Sequence, residues 1–277
     1  MTPSVSTEHA DKARRFLALH HDEQPLLLPN PWDRGSARLL AWLGFRALAT
    51  TSSGFAATLG RLDGSVTRDE ALAHATSIVD ATDLPVSADL ENGFADKPDG
   101  VAETVRLAVE TGLAGCSVED STGREDAPIY DPGLAVQRVS AAAEAAHGGP
   151  VHLVLTARAE NYVRGRPDLP DTIKRLQAYQ EAGADVLFAP GLSDLDDIRQ
   201  VVASVDRPVN VLVRPGAPTV PELAAAGVSR VSVGGAFAFT ALGAMIEAAR
   251  ELRTTGTYTF WERASTGVQG ARAAFTD

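Results

Sequence analysis

The 277-residue chain is poor in several things, and each shortage closes off a class of function. It has one cysteine, Cys116, so no internal disulfide can form, which fits a reducing, cytoplasmic setting. It has no surplus of positive charge. The formal net charge of −11 argues against a nucleic-acid partner, which would need a basic face. No apolar run approaches the roughly 18 residues of a membrane span. The start of the chain carries His9, Asp11, Lys12, Arg14 and Arg15 rather than the apolar core of a signal peptide. A glycine-rich nucleotide loop is also missing. The first apolar run is followed by Asn30-Pro31-Trp32-Asp33, which argues against a dinucleotide-binding open sheet.

What is present is a set of short apolar runs that stop at polar clusters. They are LLLPNPWD at 26–33, PVSADLENG at 85–93, AGCSVEDSTG at 114–123, VHLVLTARAEN at 151–161 and NVLVRPGAP at 210–218. Runs of strand formers ending in Asp, Glu or Arg are the pattern of parallel strands whose C-terminal ends open into a site. Strands are predicted at 26–29, 45–50, 85–89, 114–118, 151–157, 185–189, 208–213 and 229–233. Helices are predicted at 34–43, 68–82, 99–112, 133–147, 171–182, 194–204, 219–226 and 235–253. Gly44, Gly112, Gly183 and Gly227 stand where helices should stop. Eight strand–helix units predict an α/β fold of the (β/α)8 barrel type, in one domain spanning 1–277 with the barrel at about 26–253. Residues 7–21 read as an N-terminal helix. The tail 257–277 carries Tyr258, Phe260, Trp261 and Phe275, which want a surface on the same barrel or on a second subunit.

Alternation along the strands sorts the candidate chemistry. Ser87, Asp89 and Glu91 share one parity; Gly115, Ser117 and Glu119 share another; Val154, Thr156 and Arg158 a third, with Glu160 beyond. If these face inward, Asp89, Glu91, Glu119 and Arg158 meet at the C-terminal rim. So many carboxylates need a counter-charge, and a hard divalent cation, Mg2+ or Mn2+, suits an all-oxygen set. Arg158 would grip a substrate carboxylate. The bland alternative is a set of rim salt bridges. Thr51-Ser52-Ser53-Gly54-Phe55 could present an anion nest, or a plain helix cap at Ser52 or Ser53. Asp33 reads as a cap. Cys116 has the parity of the helix layer and reads as a buried apolar residue. The histidines fall on helices or, for His152, at the far end of the barrel, so no histidine zinc site is expected.

The segments PNPWDRGSARLLAWLGFRALATTSSGFAATLGRLDG, ADLENGF, SVEDSTG, ARAENY and VSVGGA, in this order over about residues 26–253, resemble the isocitrate lyase/phosphoenolpyruvate mutase superfamily. The resemblance implies a barrel, usually a homotetramer with an exchanged C-terminal helix. It implies Mg2+ and a small carboxylate substrate, a 2-oxo acid or its enolate, with a C–C or P–C bond made or broken beside it. By motif, Asp89 is implied as the principal metal residue, with Glu91 and Glu119 as a partly water-mediated shell. Asp63 is implied as a further acidic residue near the metal. Ser53, Gly54 and Phe55 are implied to hold the carboxylate, and Arg158 to bind the enolate oxygen or carboxylate. Two departures matter. The Lys-Lys-Cys-Gly-His loop of isocitrate-type lyases is replaced by Asp120–Pro128, without Cys, Lys or His, in which Arg124 is the one cation and a possible substrate contact. Pro190 stands where mutases often have histidine. The expected activity is a Mg2+-dependent lyase. The alternatives are an oxaloacetate-type decarboxylase or hydrolase, a phosphonopyruvate-processing enzyme, or a non-catalytic protein that binds Mg2+ and an oxo acid.

Overall fold

A computed structural model describes residues 7–275. The strands are β1 (Leu26–Leu28), β2 (Leu48–Ala49), β3 (Val86–Asp89), β4 (Gly115–Glu119), β5 (Val154–Arg158), β6 (Val186–Phe188), β7 (Val209–Leu212) and β8 (Arg230–Ser232). After an opening helix α1 (Thr7–Leu19), the connections carry α2 (Arg34–Trp42), α3 (Ser52–Thr58), α4 (Arg68–Val79), α5 (Pro98–Glu110), α6 (Pro132–His147), α7 (Leu169–Glu181), α8 (Leu195–Ala203), α9 (Val220–Ala225) and α10 (Ala236–Thr255). A last helix, α11 (Trp261–Ala274), covers the tail.

All strand pairs are parallel, from β2 round to β8, and β8 pairs with β1. This is the expected (β/α)8 barrel. The remaining gap, between β1 and β2, has no ladder. It is crossed by one backbone bond, from the Ala49 N–H to the Pro29 carbonyl at 3.1 Å, and by the Asn30 amide donating to the Thr50 carbonyl. Pro29 has no N–H to return, so the seam stays thin.

Strand alternation sets two packing layers. Val86, Ala88, Cys116, Val118, Leu155, Ala157, Val209, Val211 and Val231 join the helix-facing core. Their neighbours Ser87, Ser117, Thr156, Asn210, Arg230 and Ser232 therefore face the barrel axis. Cys116 is fully buried as expected, and burial pushes its thiol up to about 12. The four helix-stop glycines all have left-handed φ. Asp33 caps α2 through the Ser36 N–H, with Ser36 returning the bond. Every strand but the fourth is shorter than expected, and two show why. At 45–50 only Leu48–Ala49 pairs, because the Phe45 N–H turns back to the Leu40 carbonyl. The fifth strand starts at Val154, because the Leu153 N–H bonds Ala146 instead of a neighbouring strand.

α1 plugs the bottom of the barrel. Its Ala13, Phe16 and Leu19 pack with Leu26, Leu28, Ala114, Val154 and Val186. Gly115 makes room for the plug: a Cβ there would lie 2.7 Å from the Phe16 ring and 2.8 Å from the Val154 carbonyl. Gly115→Val is expected to cost about 1–3 kcal/mol by overpacking, read as a lower urea midpoint.

His20, just after α1, is buried and bonds the Phe16 carbonyl through Nδ1. Burial, then the Arg230 charge, lower its pKa from 6.5 to about 3. A histidine kept neutral in the fold stabilises it above pH 6.5, and that stability is lost as pH falls below 6.5 toward 3. Between pH 6.5 and 5 the loss should reach about 2 kcal/mol, and His20→Gln should flatten it in urea melts at the two pH values.

The tail differs from the rest. Ala238 is the one buried residue of α10, while Phe239, Met245, Ile246 and Leu252 are exposed. α11 packs back on α2, with the Phe275 ring against Gly35, yet Tyr258 and Trp261 stay exposed. Residues 276–277 of the aromatic tail lie outside the described residues. No helix among the described residues is long and apolar enough to cross a membrane.

Candidate active site

The rim is built by register. Asp89 on β3 is level with Ser117 on β4; Glu119 on β4 is level with Arg158 on β5. Because both strands end there, the next residues turn over the mouth. Glu91 is one of two non-glycine residues with left-handed φ among the described residues, at 47°. Such backbone costs of order 1–3 kcal/mol and tends to gather at functional sites. The turn is held by the Gly93 N–H on the Leu90 carbonyl and by the Glu119 N–H on the Glu91 carbonyl. Gly93 itself is required, since a Cβ would stand 2.9 Å from Val101 at a φ of 72°.

Arg158 is the centre of the charge pattern. It pairs with Asp89 at 2.9 Å, Glu119 at 2.9 Å and Glu160 at 3.0 Å. Burial works against its charge, but Glu119, Glu160 and Asp89 outweigh it and hold the guanidinium protonated. Arg164 adds a 3.3 Å pair to Glu119. Burial pushes Glu119 up, against the pull of Arg158. Glu91 rises to about 8, through burial and then Asp89, Asp63 and Glu119. Glu160 also rises to about 8, chiefly by burial. Asp63 sits exposed between α3 and α4 and faces the same cavity.

Asp63, Glu91, Glu119, Arg158, Glu160 and Arg164 line an open cavity of about 1130 Å3, together with Asp96, Thr122 and Pro190. Beneath it lies a smaller pocket of about 200 Å3, reaching into the barrel past Asp89, Ser53 and Arg158. Asp63, Asp89, Glu91, Glu119 and Glu160 thus meet only Arg158 and Arg164 in ion-pair range, so the donor set is oxygen-rich and over-negative. That fits a hard divalent cation. Among the described residues, however, three carboxylate oxygens of this set do not converge within 4.8 Å. A cation here would touch one or two carboxylates and reach the others through water, as Mg2+ does.

The remaining candidates divide. The N-cap of α3 is Thr51, not Ser52 or Ser53. Its hydroxyl accepts the Gly54 N–H and its carbonyl the Phe55 N–H, so those two donors are engaged within the helix. Phe55 stacks on His74 at 3.9 Å. Of the three residues implied to hold a carboxylate, Ser53 lines the small pocket. Arg124 turns aside, 3.5 Å from Asp96 and over the Tyr130 ring, and does not line either of the two cavities. Asp120, at the head of the 120–128 loop, is buried rather than presented to substrate. It accepts from Arg175 at 3.0 Å, Tyr179 at 2.6 Å and the Glu160 N–H at 2.8 Å. It thereby fixes Glu160 beside Arg158. The loop closes on itself through Ser121–Ile129 bridging.

Three features escaped sequence reasoning. Arg164 lies beyond the strand, where alternation no longer applies. The Asp120–Arg175–Tyr179 support joins residues 55 and 59 apart. At the opposite face of the barrel, where the sequence led to no expectation of a histidine zinc site, His147 and His152 each bond Asp185 at 3.0 Å. Their rings stack 4.0 Å apart and 6° from parallel, and the ligand atoms of His147, His152 and Asp185 lie within 4.8 Å of one another, close enough to hold a metal ion.

A family model described as phosphoenolpyruvate phosphomutase matches residues 16–253. A Burkholderia cenocepacia J2315 protein, provisionally assigned as a lyase/mutase, has a crystal structure that superimposes with a TM-score of 0.94 at 52% identity, covering 98% of both chains. The 2-methylisocitrate lyase of Escherichia coli K12 is 31% identical over 204 residues, 71% of this chain and 68% of its own. The oxaloacetate decarboxylase of Chromohalobacter salexigens is 29% identical over 255 residues, 88% of this chain and 86% of its own.

Proposed function

Because the chain belongs to the isocitrate lyase/phosphoenolpyruvate mutase superfamily, and so to a lyase- and mutase-type enzyme group, we propose that it is a Mg2+-dependent lyase acting on a small carboxylate, breaking a C–C or P–C bond beside a 2-oxo-acid enolate. The observation that carries this is Arg158 held among Asp89, Glu119 and Glu160 at the mouth of an open cavity. Asp89 is the residue to hold Mg2+ directly, with Glu91 and Glu119 supporting it. When bound, the ion would supply Lewis-acid charge where negative charge develops. Arg158 orients the substrate carboxylate and stabilises the enolate oxygen, with its fork already fixed by three partners. Ser53 adds a hydroxyl from the α3 end. Asp63 closes the acidic side.

A decarboxylase or hydrolase acting on an oxaloacetate-like acid is the second reading. It is favoured by the chemistry of the 120–128 loop, which offers no Cys, Lys or His as an acid, and by the full burial of Cys116 in the helix layer. It also agrees with the oxaloacetate decarboxylase among the relatives. The exposed apolar face of α10 is proposed to be covered in a homo-oligomer, which light scattering would detect. A cytoplasmic setting fits the lone buried thiol.

The test is turnover of a panel of 2-oxo and 2-hydroxy acids, including oxaloacetate, methylisocitrate and phosphonopyruvate, with and without Mg2+, read as pyruvate, glyoxylate or CO2 release. Metal-dependent turnover of one member is expected. Turnover that ignores Mg2+ would defeat the metal reading. Mg2+-dependent stabilisation by oxalate without any turnover would leave a non-catalytic binding protein.

A further inference from the structure

The rim chemistry makes no use of the His147, His152 and Asp185 group at the foot of the barrel. A short return of the chain brings the two histidines together. α6 ends at His147, and Gly148 follows where a Cβ would stand 2.8 Å from the Glu144 carbonyl oxygen. The Leu153 N–H then closes the return on the Ala146 carbonyl at 3.0 Å. His152 thereby lands over His147, with the ring centroids 4.0 Å apart. Asp185 arrives from a different connection, one residue before β6. Its N–H donates to the Leu155 carbonyl at 2.9 Å, and its Oδ2 accepts the Leu155 N–H at 2.8 Å. The carboxylate is therefore fixed by the backbone of β5. Burial opposes its charge, but the bonds from His147 and Leu155 outweigh it and hold the carboxyl below its usual range.

Two imidazoles on one fixed carboxylate are the donor set of a borderline divalent cation such as Zn2+. The dimensions agree. Zinc bonds of about 2.0–2.2 Å in tetrahedral array put neighbouring ligand atoms about 3.3 Å apart. His147 Nε2 stands 3.0 Å from Asp185 Oδ2, and His152 Nε2 stands 3.0 Å from Oδ1, so two edges of such an array are already close to that length. The three residues offer ligand atoms within 4.8 Å of one another. Among the described residues, it is the one group of three or more His, Cys, Asp or Glu side chains whose ligand atoms converge so closely. His152 lies outside β5 with 43% of its side chain exposed, so rotation of that ring can close the edge between the two imidazoles. The rim, by contrast, offers only oxygen, which suits Mg2+ and not zinc-type ions.

We propose that His147, His152 and Asp185 form a metal site separate from the rim, which takes a Zn2+-type cation on three protein ligands, with water completing the shell on the exposed side of His152. The ion ties the end of α6 to the starts of β5 and β6, at the face of the barrel that serves stability rather than turnover. The inference does not depend on the rim reading.

The experiment is a calorimetric titration of Zn2+ into the untagged, chelator-treated full chain, with excess Mg2+ present to compete at oxygen donors. Saturable Zn2+ binding is expected, together with a melting temperature that rises with Zn2+. His152→Gln should weaken Zn2+ by at least about tenfold, the lower end of what losing even a supporting group around a metal costs. It should also abolish the rise in melting temperature. Should that variant not fold, His147→Gln replaces it with the same expectation. Asp89→Ala, which removes a rim carboxylate, should leave Zn2+ affinity unchanged. Co2+ in place of Zn2+ reports the ligands directly: its visible bands should appear in the wild type and be lost in His152→Gln. A wild type that takes up no Zn2+ would reduce the group to a hydrogen-bonded cluster only and overturn the site. Binding that persists in the histidine variants, or that disappears in Asp89→Ala, would place the ion elsewhere and overturn it equally.

Discussion

Asp89→Ala should lower kcat/KM about 10²–10³-fold on whichever acid is turned over, the scale of removing one charge-stabilising group from a preorganised site. The same change should weaken Mg2+ binding, read by isothermal calorimetry. The two effects have one source. Asp89 Oδ1 holds Arg158 at 2.9 Å and also accepts the Glu91 N–H at 3.2 Å. It organises both the cationic and the acidic sides of the rim. Its loss leaves Arg158 with Glu119 and Glu160, and leaves the left-handed turn at Glu91 without its side-chain anchor. Full activity in this variant would remove the basis of the lyase reading.

Arg158→Met should be damaging twice over. Activity should fall by about 10³-fold, because no other guanidinium reaches the same point of the mouth. Stability should fall by about 3–5 kcal/mol, because the buried Glu119 and Glu160 would be left with only the more exposed and more distant Arg164 as counter-charge. Urea unfolding reads the second effect, and it should be smaller at low pH. The sign follows from the carboxylates. Both are pushed up by burial, so removing Arg158 raises them further. Groups with raised pKa favour the fold while protonated and disfavour it as pH rises through the folded value. The variant should therefore be worst near and above pH 8 and closest to wild type near pH 4. Arg158→Lys should recover one ion pair of the three and only part of the stability.

How much of this could be read from the chain depends on the kind of order involved. Asp89, Glu119 and Arg158 were legible because strand alternation is strictly local, and a charged residue at the end of an apolar run declares its face. The same alternation assigned Cys116 to the helix layer. The cap fell at Thr51, one or two residues before the expected Ser52 or Ser53, as a Thr-Ser-Ser run offers three similar hydroxyls. Arg124 was drawn off by Asp96 and Tyr130, and Asp120 by Arg175 and Tyr179. Asp96, Arg175 and Tyr179 lie 28 to 59 residues away from the groups they hold, where spacing carries no information. α3 was signalled only by the alternative of a cap at Ser52 or Ser53, because seven residues containing a glycine show no clear helical period.

The thin seam between β1 and β2 has a mechanical meaning. Everywhere else the cylinder resists shear through paired ladders; here one backbone bond and one amide side chain carry the load. Ser53, in the helix that follows β2, stands beside this compliant line, whereas Glu119 and Arg158 stand on the fully paired arc of β4 and β5. The β1–β2 side of the barrel mouth can thus yield by a small sliding of two strands, without disturbing the register that fixes Glu119 beside Arg158.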